Sequence, residues 1–306
     1  MKPFLLNPAR MSFRMADVLG GILLCGKKGE GRFFGNGDCI LLDGATGLIA
    51  VADGTERTPE ASRRFLSLMA DQMQEGQRTG GEMGLHHFVE AAKGVLEQFR
   101  YEDRTTFVCL LPAHDGSMLY VSGGDSVLMQ LDADAGEVVF RNRSNMGFTG
   151  RYREVADFGQ LMTKKGDRFL LASDGLWDLA VEDGQDAAQL LLRGLKTDPV
   201  HFLPDRLVGA CHPAFQDGGS APYDDFSMVL VDPDNLSSFR ARVLLGGTST
   251  NAEAHYQSLC RQEALPRRYV SLPDPGSALW TFPDSLPHVL LEAQGTPGFP
   301  QKKSLT

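Results

Sequence analysis

Short apolar runs that stop at an acidic, glycine-bearing turn recur along this chain, and they restrict its fold more than any other feature. The clearest is GDRFLLASDGLWD, Gly166 to Asp178, where Phe169, Leu170, Leu171 and Ala172 fit a buried strand and Asp174-Gly175 supplies the turn at its end. Asn36-Gly37-Asp38, Ala52-Asp53-Gly54 and Gly123-Gly124-Asp125-Ser126 repeat the arrangement, and Asp224-Asp225 precedes a last apolar run, Met228 to Val231. A single Asp-Gly pair is ordinary turn chemistry. Five acidic turns, each at a strand end, place carboxylates at the rim of a sheet, where they repel unless cations neutralise them. Oxygen ligands select magnesium or manganese over zinc, and the absence of paired His or Cys ligands in this sequence points the same way.

The rest of the chain builds the scaffold for those turns. Val18 to Leu24, Cys39 to Leu42 and Leu48 to Ala52 read as an opening β meander, with Val18 to Leu24 as the first strand. Thr58-Pro59 reads as a helix cap, after which Ala61, Phe65, Leu68, Met69 and Met73 share one face. Phe88, Ala91, Ala92, Val95, Leu96 and Phe99 form a second helical stripe. Strands follow at Thr106 to Leu111, Met118 to Ser122, Val127 to Leu131, Glu137 to Arg141 and Phe169 to Ala172, with the polar stretch Asn142 to Lys165 as a loop or flap. Helices cover Asp186 to Leu195 and Pro204 to Ala210 before the closing strand. This order predicts an α+β domain with helices layered on mainly antiparallel sheets.

Pro233-Asp234-Asn235 marks a boundary, so the reading divides the chain into a domain over 1–232 and a C-terminal extension over 233–306. In the extension, Arg242 to Leu245, Arg268 to Leu272 and His288 to Ala293 read as strands, Thr250 to Glu263 as a helix with a capping box, and the tail from Gly295 as disordered. It carries no recognisable chemistry, and the readings open for it are that it extends the sheet, covers an edge or docks a protein partner.

Charge and cysteine usage narrow the setting. A net charge of -9 without a basic block argues against nucleic acid as the main partner. The five cysteines have no CxxC spacing, which suggests a reducing cytoplasm. Arg10, Arg14 and Asp17 interrupt any export segment near the N-terminus, and no apolar stretch has the length of a bilayer span, so no membrane partner is expected.

Taken together, LLASDGLWD at Leu170 to Asp178, VADG at Val51 to Gly54, GGDS at Gly123 to Ser126 and DDFSMVLV at Asp224 to Val231 resemble the metal-dependent serine/threonine protein phosphatases of the PPM (type 2C) class, in the family's order over residues 18 to 232. The resemblance implies two packed antiparallel sheets flanked by helices in an α-β-β-α sandwich, with two Mg2+ or Mn2+ ions at one edge. It implies that Asp53 bridges the two ions, that Asp174 and Asp224 hold the first, and that the Gly54 carbonyl binds the second, with Asp38 supporting its water shell. Asp125 and Asp224 are implied as ligands of a third, weaker metal, and Arg32 as the group that grips substrate phosphate. The implied activity is hydrolysis of phosphoserine and phosphothreonine on proteins by a metal-bridging water, with Asp53, Asp174 and Asp224 at its centre.

The chain also departs from the family. Thr55-Glu56-Arg57 stands where a second glycine motif follows the Asp-Gly, Gly37 stands at a Glu or Gln position, and the usual Thr-x-Asp-His-Ser word of the flap is missing. These losses motivate a second reading, a catalytically weak or inert phosphatase-like module that binds a phosphoprotein and regulates it. Asp225 competes with Asp224 as a ligand if the register slips by one, and Arg57 is a substitute for Arg32. Trp177 reads as a core anchor packed behind the acidic turn. GEGRFFG within Gly26 to Gly37 matches phosphate-binding loops only loosely, because no P-loop lysine and helix follow it.

Overall fold

The computed structural model describes residues 10–15, 19–24, 36–55, 58–79, 84–151, 153–178, 187–210, 224–236, 241–248, 269–272 and 289–293. The strands are β1 (Arg10–Met15), β2 (Leu19–Leu24), β3 (Asn36–Asp43), β4 (Leu48–Gly54), β5 (Thr105–Pro112), β6 (Met118–Gly123), β7 (Val127–Asp132), β8 (Glu137–Arg141), β9 (Asp157–Leu161), β10 (Asp167–Ala172), β11 (Phe226–Val231), β12 (Ala241–Thr248), β13 (Tyr269–Leu272) and β14 (Val289–Ala293). The helices are α1 (Glu60–Arg78), α2 (Leu85–Leu96), α3 (Ala187–Leu195) and α4 (Leu203–Ala210). One sheet runs β13-β1-β2-β11-β10-β7-β8 and the other β14-β12-β3-β4-β5-β6-β9. The β1–β13 pair is parallel.

The sheets pack face to face, with helices outside both. Between them, Ile40, Leu42, Val51, Val108 and Leu110 meet Leu128, Phe169, Leu171, Val229 and Val231. On one outer face, Phe65, Met69, Met73, Phe88 and Val95 of α1 and α2 bury Leu41, Ala50, Phe107 and Cys109. On the other, Leu191, Leu192, Leu203 and Leu207 of α3 and α4 cover Met129, Leu170, Met228 and Leu230. β10 shows why its sequence is continuously apolar: Phe169 and Leu171 face the opposite sheet, while Leu170 and Ala172 face the helices. The outcome is the α-β-β-α sandwich expected from the sequence. No described helix is long and apolar enough to cross a membrane.

Four local expectations are corrected. Val18 to Leu24 is not the first strand, because β1 precedes it and pairs along its whole length with β2. The flap is not all loop: β9 lies within it and pairs with β6. Its alternate residues, Phe158 and Gln160, face solvent at the sheet edge, so the stretch DFGQL lacks an apolar run. The N-cap of α1 is Pro59 with no side-chain cap bond, while the Thr58 hydroxyl donates to the Glu102 carbonyl instead. The fourth, Trp177, belongs with the site. The helix expected over Thr250 to Glu263 and the tail from Gly295 lie outside the described residues.

The chain after Asn235 contributes to both sheets. β12 pairs with β3, setting Arg242 opposite Asp43, and β14 pairs with β12. Arg242 is buried, with Nη1 2.6 Å from Asp71 of α1 and Nη2 3.7 Å from Asp43. Burial raises the Asp43 pKa, against the Arg242 charge and the hydrogen bonds from Thr46, Ala45 and Gln74 that lower it. Removing one partner of a buried pair strands the other charge, so Arg242→Ala is expected to cost about 3 kcal/mol in denaturant unfolding. A loss below about 1 kcal/mol, the range of an exposed pair, would mean that β12 is not clamped to the sheet by this contact.

Candidate active site at the acidic edge

Strand pairing alone gathers the first two carboxylates. β3 and β4 are antiparallel in a register that sets Asp38 directly opposite Asp53, a like-charged cross-strand pair that isolated sheets disfavour. In the other sheet, β10 and β11 pair with Ala172 opposite Met228. Just beyond those ends lie Ser173 and the 3-10 turn Asp174–Asp178 on one strand, and Asp224-Asp225 on the other.

Hydrogen bonds then fasten the two sheets together at this edge. The Ser173 hydroxyl donates to Asp38 Oδ2 at 2.5 Å and accepts from the Ser227 N–H at 2.9 Å, while the Ser173 N–H donates to the Ser227 carbonyl. The Gly37 N–H donates to Asp225 Oδ2 at 2.7 Å. Ser62, in the first turn of α1, donates to the Gly37 carbonyl at 2.6 Å. The Thr105 hydroxyl donates to the Asp53 carbonyl at 2.6 Å, and the Thr105 N–H is held by the Thr149 hydroxyl. A β-carbon on Gly37 would stand 2.2 Å from the Gly54 carbonyl oxygen, so the absence of a longer side chain there is a packing requirement of this edge.

The electrostatics are those of crowded anions. Burial raises the pKa of Asp38 well above the ordinary carboxylate value; Asp225 and Asp174 add to this, and the Ser173 and Ser227 hydroxyls oppose it. Burial also raises Asp53, followed by the charges of Asp38, Asp174, Asp224 and Asp225. The neighbouring carboxylates therefore oppose ionisation of Asp38 and Asp53. Asp38 and Asp225 are buried, Asp53 and Asp174 are partly open, and Asp224 is exposed. Among the described residues, three or more His, Cys, Asp or Glu side chains do not already close around one point as a metal cage.

The structure thus brings Asp38, Asp53, Gly54, Asp174, Asp224 and Asp225 to one edge. Asp125, in the turn after β6, is exposed and lines a hollow that Asp174 also borders. Arg32 and Arg57 lie outside the described residues. Trp177 is not a core anchor: its indole is 42% exposed, and the Arg141 guanidinium lies over it, 4.2 Å from the ring centroid. Sequence reasoning missed the residues that hold the acidic turns, namely Ser173, Ser62 and Thr105. Ser173 alone had a signal, its place immediately before Asp174.

Comparison with known proteins agrees with this architecture. The chain is similar in structure to the PPM Ser-Thr phosphatase MsPP from Mycobacterium smegmatis, solved with cacodylate, at 22% identity and TM-score 0.54 over 71% of this chain and 99% of that one. It is also similar to a serine/threonine phosphatase from S. agalactiae, at 19% identity and TM-score 0.51 over 70% of this chain and 98% of that one. The catalytic domain of the phosphatase PstP, solved with 2 manganese ions, gives 22% identity and TM-score 0.50 over 70% and 98%. At these identities the shared property is the fold. None of the curated proteins matches. A family profile described as stage II sporulation protein E (SpoIIE) matches residues 49–234, from the start of β4 past the end of β11, and the chain belongs to that family, on the fold of the PPM phosphatases.

Proposed function

We propose that this protein is a Mg2+- or Mn2+-dependent phosphatase acting on phosphoserine and phosphothreonine in proteins. The observation that supports it most is the convergence of Asp38, Asp53, Asp174 and Asp224 from two sheets, at a cost in mutual repulsion that the fold maintains through Ser173 and Gly37. Its donor set, carboxylate oxygens and backbone carbonyls, fits hard divalent cations. Asp53 would bridge two ions, Asp174 and Asp224 would hold the first, and the Gly54 carbonyl would hold the second, with Asp38 supporting its water shell. Asp125 and Asp224 would take a third. PstP, on the same fold, is solved with 2 manganese ions, which supports a divalent cation as the cofactor.

Bound cations would lower the pKa of an attacking water and offset charge on the phosphoryl group in transit. The protein's own part is positional. Ser173 orients Asp38, Thr105 fixes the backbone at Asp53, and the Gly37 N–H keeps Asp225 turned toward β3 rather than toward the rim where Asp224 is exposed. A cysteine nucleophile is not available from the described thiols. Cys39 and Cys109 are buried, and burial pushes the Cys39 thiol up to about 12 and Cys109 higher still, so neither is a thiolate at neutral pH. Reduced, buried thiols also suit work in the cytoplasm.

Three measurements test this reading. Hydrolysis of p-nitrophenyl phosphate is expected to require millimolar Mn2+ and to fall in Asp174→Asn by more than the roughly 10- to 100-fold typical of residues outside the coordination sphere. No metal-dependent turnover, with the variant equal to wild type, would leave the inert phosphoprotein-binding module as the surviving reading. In Mn2+ calorimetry, Asp224→Asn should lose far more affinity than Asp225→Asn, whose amide oxygen can still accept from Gly37; the reverse order would exchange their roles. Asp53→Asn, by relieving the cross-strand repulsion with Asp38, is expected to raise the melting temperature of the metal-free protein by a few degrees, about 1 kcal/mol, and to abolish the further rise on adding Mn2+. An unchanged Mn2+ response in that variant would remove Asp53 from the site.

A further inference from the structure

We propose that Arg141, seated on the indole of Trp177, selects phosphopeptides with Asp or Glu next to the phosphorylated residue, an inference that rests on the phosphatase reading above. The two side chains form an exposed stack, with the guanidinium carbon 4.2 Å from the ring centroid. A guanidinium lying over a ring is held in place without using its N–H groups, which are left for two-point bonding to a carboxylate.

The stack borders the acidic edge. Arg141, Trp177, Ser126 and Ser144 line one hollow of about 250 Å3 together with Asp125 and Asp174. A peptide whose phosphorylated residue sits at Asp174 has its neighbouring side chains in that hollow, beside Arg141. The hollow is also preorganised. The Asn142 side chain accepts from the Leu128 N–H at 2.8 Å and donates to the Ser126 carbonyl at 2.8 Å. The Gly124 N–H donates to Asn145 Oδ1 at 2.9 Å and the Asn145 N–H donates to the Gly124 carbonyl at 2.8 Å, fastening the segment to the turn that carries Asp125.

Charge favours an acidic ligand at this place. In a chain of net charge -9, the thirteen residues from Arg141 to Arg153 include four arginines and no Asp or Glu. All four arginines are exposed. Arg104 and Arg151 both approach the face of Phe148 at 5.5 Å, so aromatic support of arginine recurs along this segment. Arg141 is the cation among the described residues that line the hollow, and with Asp125 and Asp174 engaged by metal ions on the phosphatase reading it attracts an acidic neighbour of the phosphorylated residue and disfavours a basic one.

Peptides carrying a non-hydrolysable phosphonate in place of phosphoserine, flanked by Glu or by Lys, would be titrated against the Mn2+-loaded full-length protein by fluorescence anisotropy. The matching phosphopeptides would be assayed for kcat and KM. Wild type is expected to favour the Glu-flanked peptide by roughly 10-fold, in Kd and KM rather than in kcat. Arg141→Ala should bring the two peptides within about twofold, and Arg141→Glu should invert the preference toward Lys. Trp177→Ala, which removes the seat and keeps the charge, should weaken the preference by about threefold. No preference in wild type, or the same preference in both Arg141 variants, would overturn the proposal. Hydrolysis of p-nitrophenyl phosphate by wild type separates the two ideas. Its absence defeats the phosphatase reading, while the binding titration still judges Arg141.

Discussion

The Ser173 hydroxyl donates to Asp38 in one sheet and accepts from the Ser227 backbone in the other, and the acidic edge depends on that double engagement. Face-to-face packing of the sheets is driven by apolar area, which is indifferent to small slides of one sheet over the other. Directional bonds at the edge remove that freedom. Ser173 and the Gly37 to Asp225 bond together set how far the ends of β10 and β11 stand from β3, and therefore which carboxylates face one another. A group of like charges that would separate if left to itself is thus held by hydrogen bonds whose own backbone partners are buried in the ladder.

Much of this was legible in the sequence, for a physical reason. β10 is buried on both faces, so it reads as an unbroken apolar run, and a run ending in Ser-Asp-Gly announces both the strand and its functional turn. The same holds for β3, β4 and β11; their order reads as helices layered on mainly antiparallel sheets, and the four-layer sandwich was implied by the family resemblance of their acidic turns. β1 and β9 were not legible, because strands at or near a sheet edge keep polar residues and owe their conformation to a neighbour's unpaired backbone. Ala172 and Met228 lie opposite each other across β10 and β11, a register no local pattern announces, yet it is what brings Asp174 and Asp224 to the same edge.

Trp177 shows a different limit. An aromatic residue that follows an acidic turn at the end of a buried strand reads as a core side chain, yet here a cation covers one face of the ring and the residue is exposed. Composition and spacing carry no signal for that pairing, since Arg141 stands 36 positions earlier on β8. Gly37 is the converse case. Its identity looks like the loss of a polar group until the Gly54 carbonyl is found where its side chain would begin.

The family profile stops at residue 234, but the sheet that carries Asp38 and Asp53 does not. β12 continues it beyond β3, and Gly246, in the left-handed region at a φ of 84°, lets the backbone come so near that a β-carbon would stand 2.0 Å from the Asp38 carbonyl oxygen. A chain cut after Leu236 would leave β3 as an open edge, a row of unsatisfied N–H and C=O groups running beside the carboxylates. β12 therefore keeps β3 from pairing with a stranger, and a chain that lacked it would carry its acidic edge on an unfinished sheet.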